Sequence, residues 1–448
     1  MWLPLVLIAA TSGAAHRSAT SAQDNQAVLV DARPLPGNLQ AIDADWNISL
    51  VATDDQKSRT VALEELVLWG RPGEPAAGDL VLWGKHSLLA GQVVALDAKQ
   101  ILMRSDVWGR VALDRHHVRG VAWQVPTDPV KRQQMLDAMR IPPVSSRWGE
   151  RLGGANATSD RDDLSPEERP GRSISDQGAD ESPDSLQLVN GDVLRGQLID
   201  FTRERIHFRI GGAEVTVDHD QVVYWVTSDR PPTVPPKEST APRALVGLRD
   251  GSVLAAVQVQ LGNRLRLLAE DNLELRSDPI VDPLTERTVC FLQSLGGRIQ
   301  YLSDLAPLGY KHLPYLTLEW PWRADRNVLG GRLRVRDVTY CKGLGVLSMS
   351  RLAYELREPF SRFEAELAVD QAAAGEGSVV FRLFVYADDV WYDAYTSPVV
   401  RGGQPPVSIS IPLPAARGLA LLVEFADRGD QRDYADWLNA RLVRPTTH

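Results

Sequence analysis

The residues best equipped for chemistry lie in one short run, Asp388-Asp389-Val390-Trp391-Tyr392-Asp393-Ala394-Tyr395. A sugar site needs flat rings to stack on the apolar faces of a pyranose and carboxylates to accept its hydroxyl hydrogens. This run supplies both. Read as a hairpin it alternates, so Trp391, Asp393 and Tyr395 are expected on one face and Tyr392 on the other, with Asp388 and Asp389 at the turn. The same pattern also suits core packing joined by an ordinary turn.

A second acid-rich run, Asp427 to Asp436, offers Asp427, Asp430, Asp433 and Asp436 as candidate calcium ligands. The spacing is not that of an EF-hand, which needs ligands at alternate positions and a closing Glu. Arg428 and Arg432 would compete for the same acids. In the competing reading Asp433 and Asp436 are satisfied by backbone N–H groups or arginine, as buried acids must be, and Trp437 is core. Calcium is the one cofactor that the sequence suggests.

Enzyme readings find little support, and none is expected. The sequence has no Gly-x-Ser-x-Gly elbow, no phosphate-binding P-loop and no His-Glu-x-x-His, and its eight histidines form no metal-spaced cluster. His116 and His117 fall in a strand-like stretch where neighbours face opposite ways. Cys290 and Cys341 fit neither a zinc site nor a redox motif, and read as two buried thiols or, in an oxidising compartment, one bridge. The formal charge of −9, with no Lys/Arg-rich run, argues against a nucleic-acid or anionic-membrane partner, which needs a concentrated basic face.

These candidate sites must be held by something, and the chain divides by composition. Residues 1–22 carry an apolar run too short to span a bilayer, read as a secretory signal or anchor, with periplasm, cell surface or extracellular space as destination. No other stretch is long and apolar enough to cross a membrane. A strand pattern then recurs over 27–72, 77–125, 186–228 and 242–294. Its clearest copy holds Asn190-Gly191, expected as a two-residue turn with both residues at positive φ, and Gly196 inside a strand, expected at a bend or bulge. Residues 126–148 hold a short helix after Asp128-Pro129. Residues 149–185 lack large apolar side chains and read as a disordered linker, and 229–241 as a proline-rich spacer.

From 295 to 448 about eight short strands are broken by Gly, Pro and Asp, the pattern of a β-sandwich. Lys342-Gly343-Leu344-Gly345 with Ser348 and Ser350, the strand Phe363 to Asp370, Gly377 to Phe381, Asp388-Asp389-Val390-Trp391 and Asp433-Tyr434-Ala435-Asp436-Trp437 together resemble the NPCBM/NEW2 module, a carbohydrate-binding module, over about 300 to 444. The sequence departs from that pattern twice. The usual His is replaced around Val346-Leu347, and the closing Asp-His appears as Asp433-Tyr434. The resemblance implies a jelly-roll of the galactose-binding kind and a glycan ligand. The upstream repeats resemble, more generically, Sm-like and SH3-like small barrels.

The reading is therefore a mainly β chain, in which several small bent antiparallel repeats precede a galactose-binding-like jelly-roll sandwich. The role expected is non-catalytic glycan attachment by an exported protein. The alternative is a structural or assembly protein whose repeats and sandwich contact an envelope protein or a second copy of the chain.

Overall fold

The computed structural model describes residues 26–31, 33–52, 57–74, 78–84, 86–140, 184–227, 243–279, 288–314, 319–427 and 429–445. The expected leader, the spacer and nearly all of the expected linker lie outside these residues. The last two linker residues, Asp184 and Ser185, instead open the strand Asp184–Leu188.

Each repeat folds back on itself. In the second, strands Asp79–Trp83, Ser87–Leu96, Gln100–Ser105 and Gly109–Asp114 follow one another, a single 3-10 turn spans Arg115–His117, and Val118–Ala122 returns to pair with the first strand. His116 and His117 thus sit in that turn and not in a strand. The third repeat has the same order, from Asp184–Leu188 to Val222–Val226. The long second strand must bend to serve two partners, and its glycine permits this. Gly91 and Gly196 each lie two residues before a bulge, and a Cβ at either would overlap a carbonyl oxygen of the next strand, that of Arg104 or Arg209.

The turn at Asn190-Gly191 differs from expectation. Only Gly191 has positive φ, at 93°. Gly191 donates its N–H to Leu188 O, Leu188 donates to Asp192 O, and Asn190 Oδ1 accepts from Asp192 N, so the loop is a three-residue turn closed by a glycine bulge. The asparagine's side chain satisfies the loop, and its backbone is spared the left-handed region.

The repeats join through their last strands. Phe291, Leu292 and Gln293 of the fourth pair with Gly70, Trp69 and Leu68 of the first, and Gly120, Val121 and Ala122 of the second pair with Val226, Trp225 and Tyr224 of the third. Alternation then puts one side of each strand into a shared core and leaves an apolar outer side that needs cover. Over the second repeat the cover is the helix Pro129–Arg140, which lays Met135, Leu136 and Met139 on Leu80, Leu82 and Leu88. The helix starts where Asp128 Oδ1 accepts the N–H groups of Val130 and Lys131, at 2.8 and 2.9 Å.

Over the first and fourth repeats the cover is the sandwich itself. Among the described residues the sandwich consists of two six-stranded sheets. One, the docked sheet, runs Arg323–Ala324, Gly343–Leu347, Tyr434–Val443, Arg362–Val369, Val407–Pro412, with Ile299–Tyr301 also paired to Tyr434–Val443. The other, the open sheet, runs Gly309–His312, Ser350–Glu355, Gly418–Phe425, Ser378–Ala387, Val390–Thr396, with Val400–Arg401 also paired to Ser378–Ala387. Phe363, Phe381 and Trp437 fill the space between the sheets. Gly345 is required because a Cβ there would strike the backbone of Arg326 and Asn327.

Val30 and Val67 of the first repeat share a buried cluster with Ile299, Tyr301 and Val443. Gln293 donates to Tyr301 Oη at 3.0 Å and to Asn439 Oδ1 at 3.1 Å, Arg298 grips Glu65 at 2.9 Å, and Arg362 donates to the carbonyl of Val30. A fragment starting at Leu295 uncovers Ile299, Tyr301 and Val443. It is expected to melt at least about 2–4 °C below the sandwich transition of the intact chain, the shift of about 1 kcal/mol in a domain this size. Equal melting in calorimetry would show that docking adds nothing.

Candidate functional site

The hairpin of Ser378–Ala387 and Val390–Thr396 turns on Asp388 and Asp389, whose φ values are 49° and 62°. Two successive left-handed residues make the tight turn that matches strand twist, and aspartate tolerates that region better than most side chains. The register pairs Trp391 with Tyr386 and Asp393 with Phe384, then skips Ala394 so that Tyr395 faces Leu383. This corrects the expected alternation. Trp391 and Asp393 share the outer face, whereas the bulge turns Tyr395 inward against the sandwich core.

Trp391 is 46% exposed. Its ring rests on Tyr386, with centroids 5.3 Å apart, and its far edge lies over Gly418, where a Cβ would come within 3.2 Å of it. Arg417 lies over the other ring, 5.6 Å from the Tyr386 centroid, and donates to Asp389 Oδ1 at 2.6 Å; Tyr386 Oη donates to the same oxygen at 3.2 Å. Asp393 is held by Arg382 at 2.5 Å and by the Thr396 hydroxyl. The bond from Arg382 keeps its carboxyl below the ordinary range. The indole is thus braced from behind and open in front, with the exposed Asp388, Asp389 and Asp393 at its margins. Tyr386 and Arg417 were not singled out from sequence, because their place beside Trp391 depends on the hairpin register.

The second acid run does not gather. Asp427 pairs with Arg401 at 2.5 Å, Asp433 Oδ1 accepts the Ser378 N–H at 2.8 Å, and Asp436 is fully buried against Asp370. Among the described residues no three of Asp427, Asp430, Asp433 and Asp436 bring oxygens within a cation's reach of one another. The expected calcium loop is corrected accordingly: Asp427, Asp433 and Asp436 face different partners. Burial first, then the charge of Asp370 and its hydrogen bond, raise Asp436 far above an ordinary carboxyl, so the pair shares a proton.

Burial pushes Asp433 up to about 6, with Asp430 adding to the rise and the Ser378 N–H opposing it. The folded state then holds this proton more tightly than the unfolded chain, where the carboxyl titrates near 3.8. Stability from this group is therefore fully present below that value and is lost as pH rises to about 6. Asp433→Asn keeps the acceptor for Ser378 and is expected to flatten that slope, gaining about 1–3 kcal/mol over the wild type between pH 4 and 7. Urea midpoints at both pH values check this; parallel wild-type and variant curves would contradict it.

Three donors do converge elsewhere: His86, Asp304 and Asp325. The place of a cation between the two acids is taken by Lys342, whose ammonium is wholly buried and donates to Asp304 and Asp325 at 2.8 Å each. Burial alone would lower the amine, but Asp325 and then Asp304 outweigh it and raise its pKa. Lys342 also lies 5.4 Å from the centre of the Tyr301 ring. The first residue of the Lys-Gly-Leu-Gly stretch is therefore a structural cation, and His86 brings the second repeat to the same acids.

A β-sandwich of jelly-roll type, with an exposed ring flanked by acids on one hairpin, has the architecture of a carbohydrate-binding module. Residues 298–443 match the model of the NPCBM/NEW2 domain, so the chain carries that domain at its C-terminal end. The two departures from its pattern fall together, since Leu347 and Tyr434 face each other across neighbouring strands. One curated relative, alpha-1,3-galactosidase B of Akkermansia muciniphila, is 31% identical over 121 residues, 26% of this chain and 15% of that protein. Another, from Renibacterium salmoninarum, is 31% identical over 114 residues, 25% of this chain and 7% of its own length. The chain thus matches only a small part of either. Among solved structures, a CBM51 module from Clostridium perfringens GH95 in complex with methyl-galactose is 23% identical, covering 32% of this chain and 99% of its own at a TM-score of 0.29.

Proposed function

We propose that this is an exported, non-catalytic protein that attaches to glycans through the open sheet of its C-terminal sandwich. The observation that carries the reading is Trp391, a large ring left 46% exposed on a rigid backing of Tyr386 and Gly418. An aromatic side chain held open at its face is suited to stack on a sugar, and the carboxylates of Asp388, Asp389 and Asp393 on the same hairpin are of the kind that accepts hydroxyl hydrogens. Tyr395 supports the hairpin from the core side. The relative from Akkermansia, named for an α-1,3-galactosidase, supports galactose-containing glycans as the first ligands to try.

The repeats serve as a mount. They cover the docked sheet through Ile299, Tyr301 and Val443 and leave the open sheet facing away from that contact. Export to the periplasm, cell surface or extracellular space is part of the same reading. The test is a glycan array with the full-length chain. Binding to a galactose-containing set supports the proposal, and no binding to any glycan, together with self-association, favours an assembly role.

A further inference from the structure

The open sheet's outer face continues well past the hairpin. Cross-strand pairing places Phe384 beside Ala420, Ala420 beside Ala353, and Ala353 beside Gly309. Small residues on three consecutive strands make a floor lower than its borders. Trp391 and Tyr386 border one end. Along one side runs a second cross-strand row, in which Arg382 pairs with Leu422, Leu422 with Arg351, and Arg351 with Lys311.

The last pair is the informative one. Lys311 and Arg351 are directly opposite on adjacent strands, both exposed, and like charges in that position repel and destabilise a sheet. Arg382 is neutralised by Asp393 and Glu424. No ion pair is formed by Lys311 or Arg351 among the described residues. In a chain with a net charge of −9, two unneutralised cations set side by side next to an aromatic platform form a local anion-seeking edge.

Resting on the glycan reading above, we propose that the open sheet takes an extended acidic polysaccharide, one whose sugars carry carboxylate or sulfate groups. The chain would lie across the strands, with one sugar stacked on Trp391 and acidic groups further along meeting Arg351 and Lys311. From the Trp391 strand to the Lys311 strand the face crosses five strands, about 19 Å at a spacing of about 4.8 Å, which suits a chain of several sugars better than a single one. An anion over Lys311 and Arg351 removes their mutual repulsion, so binding and local stability are coupled.

The experiment compares polygalacturonate with neutral galactan as probes for the full-length chain, using affinity electrophoresis at 50 and 300 mM salt, together with a Lys311→Gln/Arg351→Gln double variant and Trp391→Ala. The expected result is tighter binding to polygalacturonate, weakened by salt. The double variant should lose about tenfold in affinity for it, with binding to galactan unchanged and thermal stability equal to or above wild type. Equal binding to both polymers, or a double variant that still prefers the acidic one, overturns the acidic-chain proposal and leaves the glycan reading standing. Equal binding to poly-glutamate overturns it as well, since charge alone would then suffice. Failure of the wild type to bind either polysaccharide overturns both readings.

Discussion

Lys342→Ala is expected to lower stability by about 3–5 kcal/mol, the usual result of removing one partner from a buried ion pair. The ammonium is wholly buried, while Asp325 keeps 11% and Asp304 28% of its side-chain surface exposed. Once the amine is gone, two carboxylates face each other without the ammonium between them, with His86 within 4.8 Å of both. Partial exposure of Asp304 allows some solvent screening, so the lower end of the range applies. Asp304→Asn/Lys342→Met removes a charge of each sign and should recover much of the loss. Because the lysine's pKa is raised on folding, its contribution is fully present below the unfolded value near 10.5 and disappears as pH rises through the folded one. Alkaline unfolding of the wild type should thus be steeper than that of the Met variant. Denaturant curves at pH 7 and 11 measure both effects; an Ala variant within about 0.5 kcal/mol of wild type would contradict the account.

Trp391→Ala carries the second large effect. Buried anchors of this kind at an interface cost about 2 kcal/mol or more when truncated, roughly thirtyfold in affinity. The side chain is exposed in the free protein and packs on Tyr386 and over Gly418, so its removal should change thermal stability little and ligand binding greatly. Tyr386→Leu is expected to weaken binding less, by loosening the indole from behind. Tyr395→Leu should act on stability instead, because Tyr395 belongs to the core side of the hairpin.

The division of effect between Trp391 and Tyr395 marks a limit of sequence reading. Alternation assigns both to one face, and it was one bulged residue, Ala394, that separated them. A bulge carries no compositional signal when it falls at an alanine. The strands themselves were legible, because Val379, Phe381, Leu383 and Val385 alternate with half-exposed residues along an uninterrupted ten-residue strand. The helix after Asp128 was legible from its cap and following proline. The fate of the aspartates was not. Asp433 and Asp436 look alike in sequence to Asp427 and Asp430, yet Asp433 and Asp436 are buried and only Asp427 is exposed in an ion pair with arginine. That difference is set by strand entry at Tyr434, where the backbone leaves the surface. The docking of the sandwich on the repeats was also hidden, since Gln293, Tyr301 and Asn439 are far apart in sequence and each is unremarkable alone.

Lys342 shows a different kind of limit. Gly345 leaves room for the backbone of Arg326 and Asn327, Gly343 exchanges hydrogen bonds with Asp325, and these contacts hold Asp325 at the ammonium. Motif and ion pair are thus one feature of the fold. The face available to a ligand lies on the other sheet.

The proposed glycan site on this face stands or falls with Trp391. Titration calorimetry of the full-length protein with galactose-containing oligosaccharides, run in parallel on wild type and Trp391→Ala, tests it most directly. Saturable heat is expected for the wild type, and a loss of roughly thirtyfold or more in the variant at unchanged melting temperature. Equal affinity in the two proteins would contradict it.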